Sequence, residues 1–149
     1  MKNCFDRFPS VLREALESER TKFPKDIQWE YEDMEAYRAI DINENKRDIA
    51  QSDFDSQVEK GKKVGKFKNL PKDIEYYSCS CFFTDKKLLK QLVSLKDRII
   101  NGKSKIAKGV LRFKNGPILV NKNTEHIHWF LFKNVDVVRD FKFIKTNLE

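Results

Sequence analysis

The chain is poor in cysteine and has no long apolar run. Its 149 residues include three cysteines, Cys4, Cys79 and Cys81, and an odd number without framework spacing argues against a disulfide scaffold. No stretch approaches the roughly 20 apolar residues that a membrane span requires. Near the start of the chain, Asp6 and Glu14 come before any long apolar run. This pattern is not that of a secretory signal. We therefore expect a cytoplasmic protein that does not enter a membrane.

Several signatures of known chemistry are also missing. Residues 61–73 contain two glycines and five lysines, but not in the spacing of a phosphate-binding loop. No signature of a helix-turn-helix, a zinc finger or a classical RNA-binding module occurs. The sequence also shows no internal repeat. Any function must therefore be inferred from composition and from a small number of residues.

The composition is sufficient for one hydrophobic core. Hydrophobic residues make up 40% of the chain, with twelve Phe, four Tyr and two Trp, and aromatic side chains bury large areas. Length and composition predict a single domain over residues 1–149. We divide it into an acidic, helix-rich N-terminal part (1–60), a Lys/Gly-rich loop (61–75) and a basic, β-rich core (76–149).

Charge is distributed unevenly along the chain. The formal net charge is +7, with −5 on residues 1–60 and +12 on residues 61–149. A basic half of this kind indicates a surface that faces a polyanion. We expect the partner to be nucleic acid, with RNA preferred to DNA, or another polyanion. The acidic part is then free to face a protein partner.

The patterns of the N-terminal part favour helices, with one ambiguous segment. Residues 9–21 carry an apolar stripe at helical spacing, and residues 52–60 suit a short helix that stops at Gly61. In residues 27–42, the EDMEA stretch favours a helix, whereas the alternation on both sides of it favours strands. The second of these strands, at 37–42, would carry Arg38.

The basic part has a clearer pattern. Residues 76–83 alternate as a strand, which places Ser78 and Ser80 on one face and both cysteines on the other. A buried stripe of leucines over 85–100 predicts one long helix ended by Asn101-Gly102. Asn115-Gly116 predicts a tight turn between paired strands at 105–113 and 117–121. Further strands are expected at 126–132 and 141–144.

Together these elements predict an α+β fold. N-terminal helices are followed by a strand, a long helix and three or four mainly antiparallel strands. We expect the strands to form a curved sheet with a helix packed on one face.

The two histidines, His126 and His128, are the strongest catalytic candidates. Two residues apart on a strand, they lie on the same face, and imidazoles near neutrality can take and give protons. RNA cleavage also requires cations that stabilise the charged transition state. We predict that Lys108 and Arg112 bind the phosphate, with Lys105 and Lys122 as further phosphate ligands. The pattern predicts a metal-independent ribonuclease of the compact helix-plus-sheet toxin type, an analogy of architecture, with no cofactor.

The same histidines allow other roles. They could bind zinc together with Glu125, or together with the thiolates of Cys79 and Cys81 if the two strand faces meet. One cysteine could act as a nucleophile paired with a histidine. The histidines could also serve hydrogen bonding alone, and buried cysteines usually behave as small apolar residues.

A second constellation follows the order Arg38, Ser78-Cys79-Ser80 and Glu125. It resembles the Arg, Ser-Thr-Ser and Glu series of the mono-ADP-ribosyltransferases, which bind NAD in a cleft between sheets. The resemblance implies that Arg38 holds the NAD phosphates, Ser78 braces the site and Glu125 stabilises the ribosyl cation. The chain departs from the pattern at Cys79, where Thr is usual, and at Asn123, where that family has Glu or Gln.

A third alternative is a non-enzymatic binding or inhibitor protein. Its acidic and basic parts would each face a partner, and salt-sensitive binding without turnover would distinguish it. The sequence alone leaves open whether the protein is an enzyme.

Overall fold

The computed structural model describes residues 2–63, 69–146 and 148. This part of the chain confirms the α+β class, with six strands and four α-helices. The helices are α1 (Ser10–Glu17), α2 (Gln57–Lys63), α3 (Asp85–Gln91) and α4 (Leu95–Ile100). The strands are β1 (Met34–Asp41), β2 (Cys79–Phe82), β3 (Ser104–Leu111), β4 (Ile118–Asn121), β5 (His126–Trp129) and β6 (Phe141–Phe143). No helix in the described ranges is long and apolar enough to cross a membrane.

The strands form one open antiparallel sheet in the order β4-β5-β2-β1-β3-β6. β1 pairs with β3 along its whole length, and β2 pairs in the same way with β5. In contrast, β1 and β2, whose residues are all described, pair at one position only, between Tyr37 and Phe82. The sheet therefore consists of two three-stranded halves that separate next to this pair.

The acidic part of the chain supplies β1, one of the two central strands of this sheet. β1 begins at Met34, inside the stretch that also favoured a helix. Its Ala36 and Ile40 are almost completely buried. Burial between two neighbouring strands outweighs the weak helix propensity of this segment. The description of residues 1–60 as helix-rich was therefore incomplete.

The loop expected at 61–75 is shorter than predicted. α2 reaches Lys63, so Gly61 lies inside the helix and does not stop it. Residues 64–68 of the expected loop are outside the described residues. The segment Ile74–Tyr77 forms a 3₁₀ helix, capped by the side chain of Asp73.

The long helix expected over 85–100 is broken. Thr84 caps α3 by accepting a hydrogen bond from the Lys87 amide, but the chain turns after Gln91 and restarts as α4. The turn lets α3 pack against β1 and β2 while α4 packs against β3. Leu88 and Leu95 are buried by this arrangement, whereas Val93 in the turn is 87% exposed.

The hairpin predicted at Asn115-Gly116 was wrong. β3 pairs with β1 and β6, and β4 pairs with β5. Gly116 has a φ of 144°, and a Cβ built on it would lie 2.0 Å from the carbonyl oxygen of Phe130. The glycine is thus required for a close crossing of two backbone segments instead of a two-residue turn.

The two faces of the sheet bury separate sets of side chains. The cysteine face carries Cys79, Cys81, Ile127 and Trp129, packed with residues such as Phe54 and Phe141. The opposite, histidine face carries two clusters. One joins α1 to Phe130 and Phe132, and the other joins α3 and α4 to Phe82 and Ile106.

Candidate functional site

A cleft of about 400 Å³ opens on the histidine face between these two clusters. Its walls come from β1, α2, the segment 73–80 and β5. Both histidines line it, together with Arg38, Lys60, Glu75, Ser78 and Ser80. The cleft therefore unites the histidine pair with Arg38 and Ser78, residues that the sequence assigned to different sites.

Strand alternation positions the histidines. Ile127 and Trp129 are fully buried on the cysteine face, so His126 and His128 point the other way, as predicted. The His126 ring stacks on Phe82, with centroids 4.5 Å apart and planes 9° apart. The two imidazole centroids lie 4.1 Å apart, close enough for each ring to affect the protonation of the other.

Ser78 fixes the tautomer of His128. The Ser78 hydroxyl donates to the backbone oxygen of Glu75 at 2.7 Å and lies 3.1 Å from His128 Nδ1. Because the hydroxyl has one hydrogen, already used by Glu75, His128 Nδ1 must be the donor to Ser78. In the neutral ring the free lone pair is then on Nε2, which lies 3.6 Å from a carboxylate oxygen of Glu75.

His126 is hydrogen-bonded through Nε2 to the hydroxyl of Ser80. Burial lowers the pKa of His126 to about 4, helped by the charges of His128 and Arg38 and opposed by Glu75. The ring is therefore neutral near pH 7, and Nε2 can accept a proton. Burial also lowers the pKa of His128, and Asp73 partly offsets this effect.

Arg38 lies where β1 and β2 separate. Its Nε and Nη2 donate to the Asp53 carbonyl at 3.0 and 2.7 Å, and Nη1 donates to the Ser80 carbonyl at 2.5 Å. Continuing the β1–β2 register would place Ser80 opposite Ala39, so the guanidinium occupies a position that ladder hydrogen bonds would otherwise fill. Arg38 is only 8% exposed.

In the described part of the chain, the guanidinium of Arg38 is held by backbone carbonyls and not by a carboxylate. Its three hydrogen bonds go to backbone carbonyls, and the Asp53 carboxylate is instead paired with Lys46 at 2.8 Å. The pKa of Lys60 is lowered, first by burial and next by the charge of Arg38. The same cleft is also lined by the carboxylates of Asp55, Asp73 and Glu75. Its side chains therefore carry charges of both signs, and the position next to Arg38 and Lys60 is the one that favours an anion.

Two predicted phosphate ligands form ion pairs outside the cleft. Lys108 is on the histidine face, but its amine lies 3.0 Å from a Glu35 carboxylate, and β3 is three strand positions from β5. That separation is about 14 Å at normal strand spacing. Arg112 follows β3 and pairs with Asp33 and Asp140.

The other two predicted ligands line different cavities. Lys105 lies with its amine 5.3 Å from the centre of the Phe143 ring, beside a cavity of about 430 Å³. Lys122 lines a third cavity, of about 460 Å³, together with Glu125. The structure therefore separates Glu125 from Arg38 and Ser78, its partners in the constellation that resembles the mono-ADP-ribosyltransferases.

The thiols and the imidazoles are on opposite faces of the sheet. Cys79 pairs with Trp129 and Cys81 pairs with Ile127, and both thiols are buried in the core. A zinc site that includes these thiolates, or a thiol nucleophile paired with a histidine, would require the two faces to meet, which they do not. In the described ranges no group of three or more His, Cys, Asp or Glu side chains is placed to hold a metal ion.

Sequence reasoning did not identify Lys60 and Glu75 as site residues. Lys60 reaches the cleft from α2, and Glu75 from a 3₁₀ helix that was expected to be loop and strand. Their positions depend on packing between segments distant in sequence, for which the sequence gives no local signal. Ser80, in contrast, follows directly from the alternation along β2.

Comparisons with protein-family models, curated proteins and solved structures found no match to this chain. A functional conclusion therefore rests on the geometry of the cleft.

Proposed function

We propose that the cleft cleaves a phosphodiester bond of RNA by metal-independent acid–base catalysis. The observation that carries this proposal is the convergence of two imidazoles with Arg38 and Lys60 in one cleft. Its volume is within the range of small-molecule sites, about 300–1,000 Å³. A nucleotide phosphate would bind next to these two cations, in a cleft that also carries the carboxylates of Asp55, Asp73 and Glu75.

In the chemical step, one proton moves from the substrate to the protein and another moves from the protein to the substrate. The 2′-hydroxyl oxygen attacks the adjacent phosphorus while its proton moves to His126. The bond from phosphorus to the 5′-oxygen breaks, and His128 donates a proton to that leaving oxygen. The products are a 2′,3′-cyclic phosphate and a free 5′-hydroxyl, and exchange with water restores both histidines.

The surroundings of the two rings support these separate roles. His126, with a pKa of about 4, is neutral and can act as the base, and the Ser80 hydroxyl marks where a substrate hydroxyl would meet Nε2. His128 has the Glu75 carboxylate beside Nε2. Burial lowers the pKa of His128 and Asp73 opposes this effect, so the acid role depends on the negative charge of a bound phosphate. A bound phosphate adds further negative charge and raises the pKa of both histidines.

Arg38 and Lys60 supply electrostatic stabilisation. Three of the five guanidinium N–H groups of Arg38 are used by carbonyls, which leaves two for phosphate oxygens. Because Arg38 is held in place before substrate arrives, little reorganisation is needed as charge develops. Tyr76 at the rim is 42% exposed and offers a surface for base stacking.

The test is cleavage of labelled RNA with and without a chelator. Wild-type protein is compared with His126→Gln, His128→Gln and, as a control outside the cleft, Lys108→Ala. We expect each glutamine variant to lose about 10²–10⁴-fold in rate, with an unchanged circular dichroism spectrum and with cyclic phosphate as the wild-type product. Undiminished cleavage by His128→Gln, or loss of wild-type cleavage in chelator, would refute the mechanism.

An NAD-using transferase is the second candidate, because Arg38 and Ser78 share the cleft. In this case Glu75, which lines the same cleft, would replace Glu125 as the carboxylate that stabilises a ribosyl cation. Calorimetry with NAD, followed by an assay for nicotinamide release, tests this alternative. Release by the wild type and its loss in Glu75→Gln, with binding retained, would support the transferase over the ribonuclease.

A further inference from the structure

A second, larger groove lies beside the C-terminal end of α1. It has a volume of about 950 Å³. The groove is walled by Phe23, Ile27 and Trp29, and basic side chains stand at Lys22, Lys25 and Lys72. None of these residues takes part in the cleft described above.

The aromatic wall is held in place by its packing. Trp29 lies against Phe23, with ring centroids 5.3 Å apart, and against Phe8 at 6.1 Å. The backbone of Gln28, next to Trp29, pairs with Ile118 at the edge of β4. Both Trp29 and Phe23 remain partly exposed, so the groove offers pre-positioned aromatic surface to a flat ligand.

The three lysines give the groove a positive rim. All three are exposed, and none takes part in the ion pairs formed within the described part of the chain. Glu19 is the one acidic residue among the side chains that line this groove. Aromatic surface beside unpaired lysines is complementary to stacked bases joined by phosphates.

Adjacent residues of the chain line the groove and the cleft. Lys72 lines the groove and the next residue, Asp73, lines the cleft. The segment 70–72 is tied to the end of α1, because Thr21 donates to the Lys72 carbonyl at 2.7 Å and Arg20 donates to the Leu70 carbonyl at 2.8 Å. A linear ligand that crosses this segment can contact both the groove and the cleft.

We propose that the groove binds an unpaired stretch of RNA that flanks the cleaved bond, with a base against Trp29 and Phe23 and phosphates on the lysines. This rests on the proposed ribonuclease function and specifies its substrate as single-stranded RNA. Paired bases could not reach the aromatic wall, because their faces are occupied by the stack of the duplex.

Binding is measured with a short fluorescein-labelled 2′-O-methyl RNA, which lacks the attacking hydroxyl and cannot be cleaved. Lys22→Ala/Lys25→Ala/Lys72→Ala is compared with Lys86→Ala/Lys90→Ala/Lys96→Ala, an equal loss of charge on α3 and α4. We expect Kd to rise about tenfold or more in the groove variant and less than about threefold in the control, because the salt-dependent phosphate contacts are lost. Equal effects in the two variants would overturn the proposal.

Two further measurements separate this groove from a general affinity for polyanions. Tryptophan emission should be quenched by the RNA, and Trp29→Phe should abolish the quenching, because Trp129 is fully buried. A self-complementary duplex of the same length should compete poorly, and equal competition would overturn the proposal. Selective binding without any wild-type cleavage would refute the ribonuclease function and leave the groove assignment standing.

Discussion

The hydroxyl of Ser78 determines which nitrogen of His128 can act on a ligand. The Ser78 hydroxyl accepts a hydrogen bond from His128 Nδ1 and donates one to the backbone carbonyl of Glu75. Nε2 is thereby left as the reactive atom, with the Glu75 carboxylate beside it. A short chain of hydrogen bonds from a 3₁₀ helix to a strand thus orients the ring.

Replacing Ser78 should weaken catalysis by releasing this constraint. Ser78→Ala removes both hydrogen bonds of the hydroxyl, each of roughly 1 kcal/mol, and with them the constraint on His128, so we expect cleavage to fall about tenfold. Ser78→Thr retains the hydroxyl and should retain most of the activity. Nitrogen-detected NMR of the imidazoles gives an independent check, since wild-type His128 should carry its proton on Nδ1. A wild-type ring protonated on Nε2 instead would contradict the assignment.

Lys60 and Lys108 provide a matched pair of substitutions. Lys60 lines the cleft, whereas Lys108 is paired with Glu35 outside it. We expect Lys60→Ala to reduce kcat/KM for RNA by about tenfold, as for the loss of a cation near the transferred phosphate. Lys108→Ala should change it by less than about twofold, because exposed ion pairs contribute little. The reverse order would favour the phosphate ligands inferred from sequence.

Stability should fall as the solution is acidified through the range of the histidines. The folded pKa of His126, about 4, is below its ordinary value of 6.5, so the unfolded chain takes up the proton first. The free energy of unfolding is thus highest above about pH 6.5 and decreases towards pH 4. For a partly exposed ring we expect a loss of about 1–3 kcal/mol.

Urea denaturation at several pH values measures this effect. His126→Gln cannot titrate and should show a smaller decrease between pH 6.5 and 4, whereas the exposed control Lys86→Ala should follow the wild type. The shifted pKa of His128 acts in the same direction, so some dependence should remain in His126→Gln. Identical curves for the wild type and His126→Gln would show that burial of this ring does not lower its pKa.

The sequence predicted local patterns better than their assembly. The alternation along 126–132 and 76–83 placed the histidines and Ser80 on one face, since strand geometry alone determines it. The hairpin at Asn115-Gly116 failed because the glycine serves a close approach to Phe130 instead of a turn. Lys60 lies in the site because segments that are distant in sequence pack together, and no local sequence pattern predicts that packing.

Gly109 should be much less tolerant of substitution than Gly102. A Cβ on Gly109 would lie 2.3 Å from Cγ of Phe141, its partner across the β3–β6 pair. Gly109→Ala must displace a buried ring and should cost about 2–3 kcal/mol. At Gly102 nothing lies within 4 Å but φ is +70°, so Gly102→Ala should cost about 1 kcal/mol. Chemical denaturation of both variants checks this order, and equal losses would contradict the packing at Gly109.

Because Arg38 joins the two halves of the sheet where their strands separate, the anion binding that we propose at this position would be thermodynamically coupled to folding. An anion held by the free N–H groups of Arg38 can bind the native sheet but not the unfolded chain. Occupancy therefore adds to the free energy of unfolding by mass action, about 2.7 kcal/mol when the ligand is present at one hundred times its Kd. The melting temperature of the whole protein becomes a measure of how fully the cleft is filled.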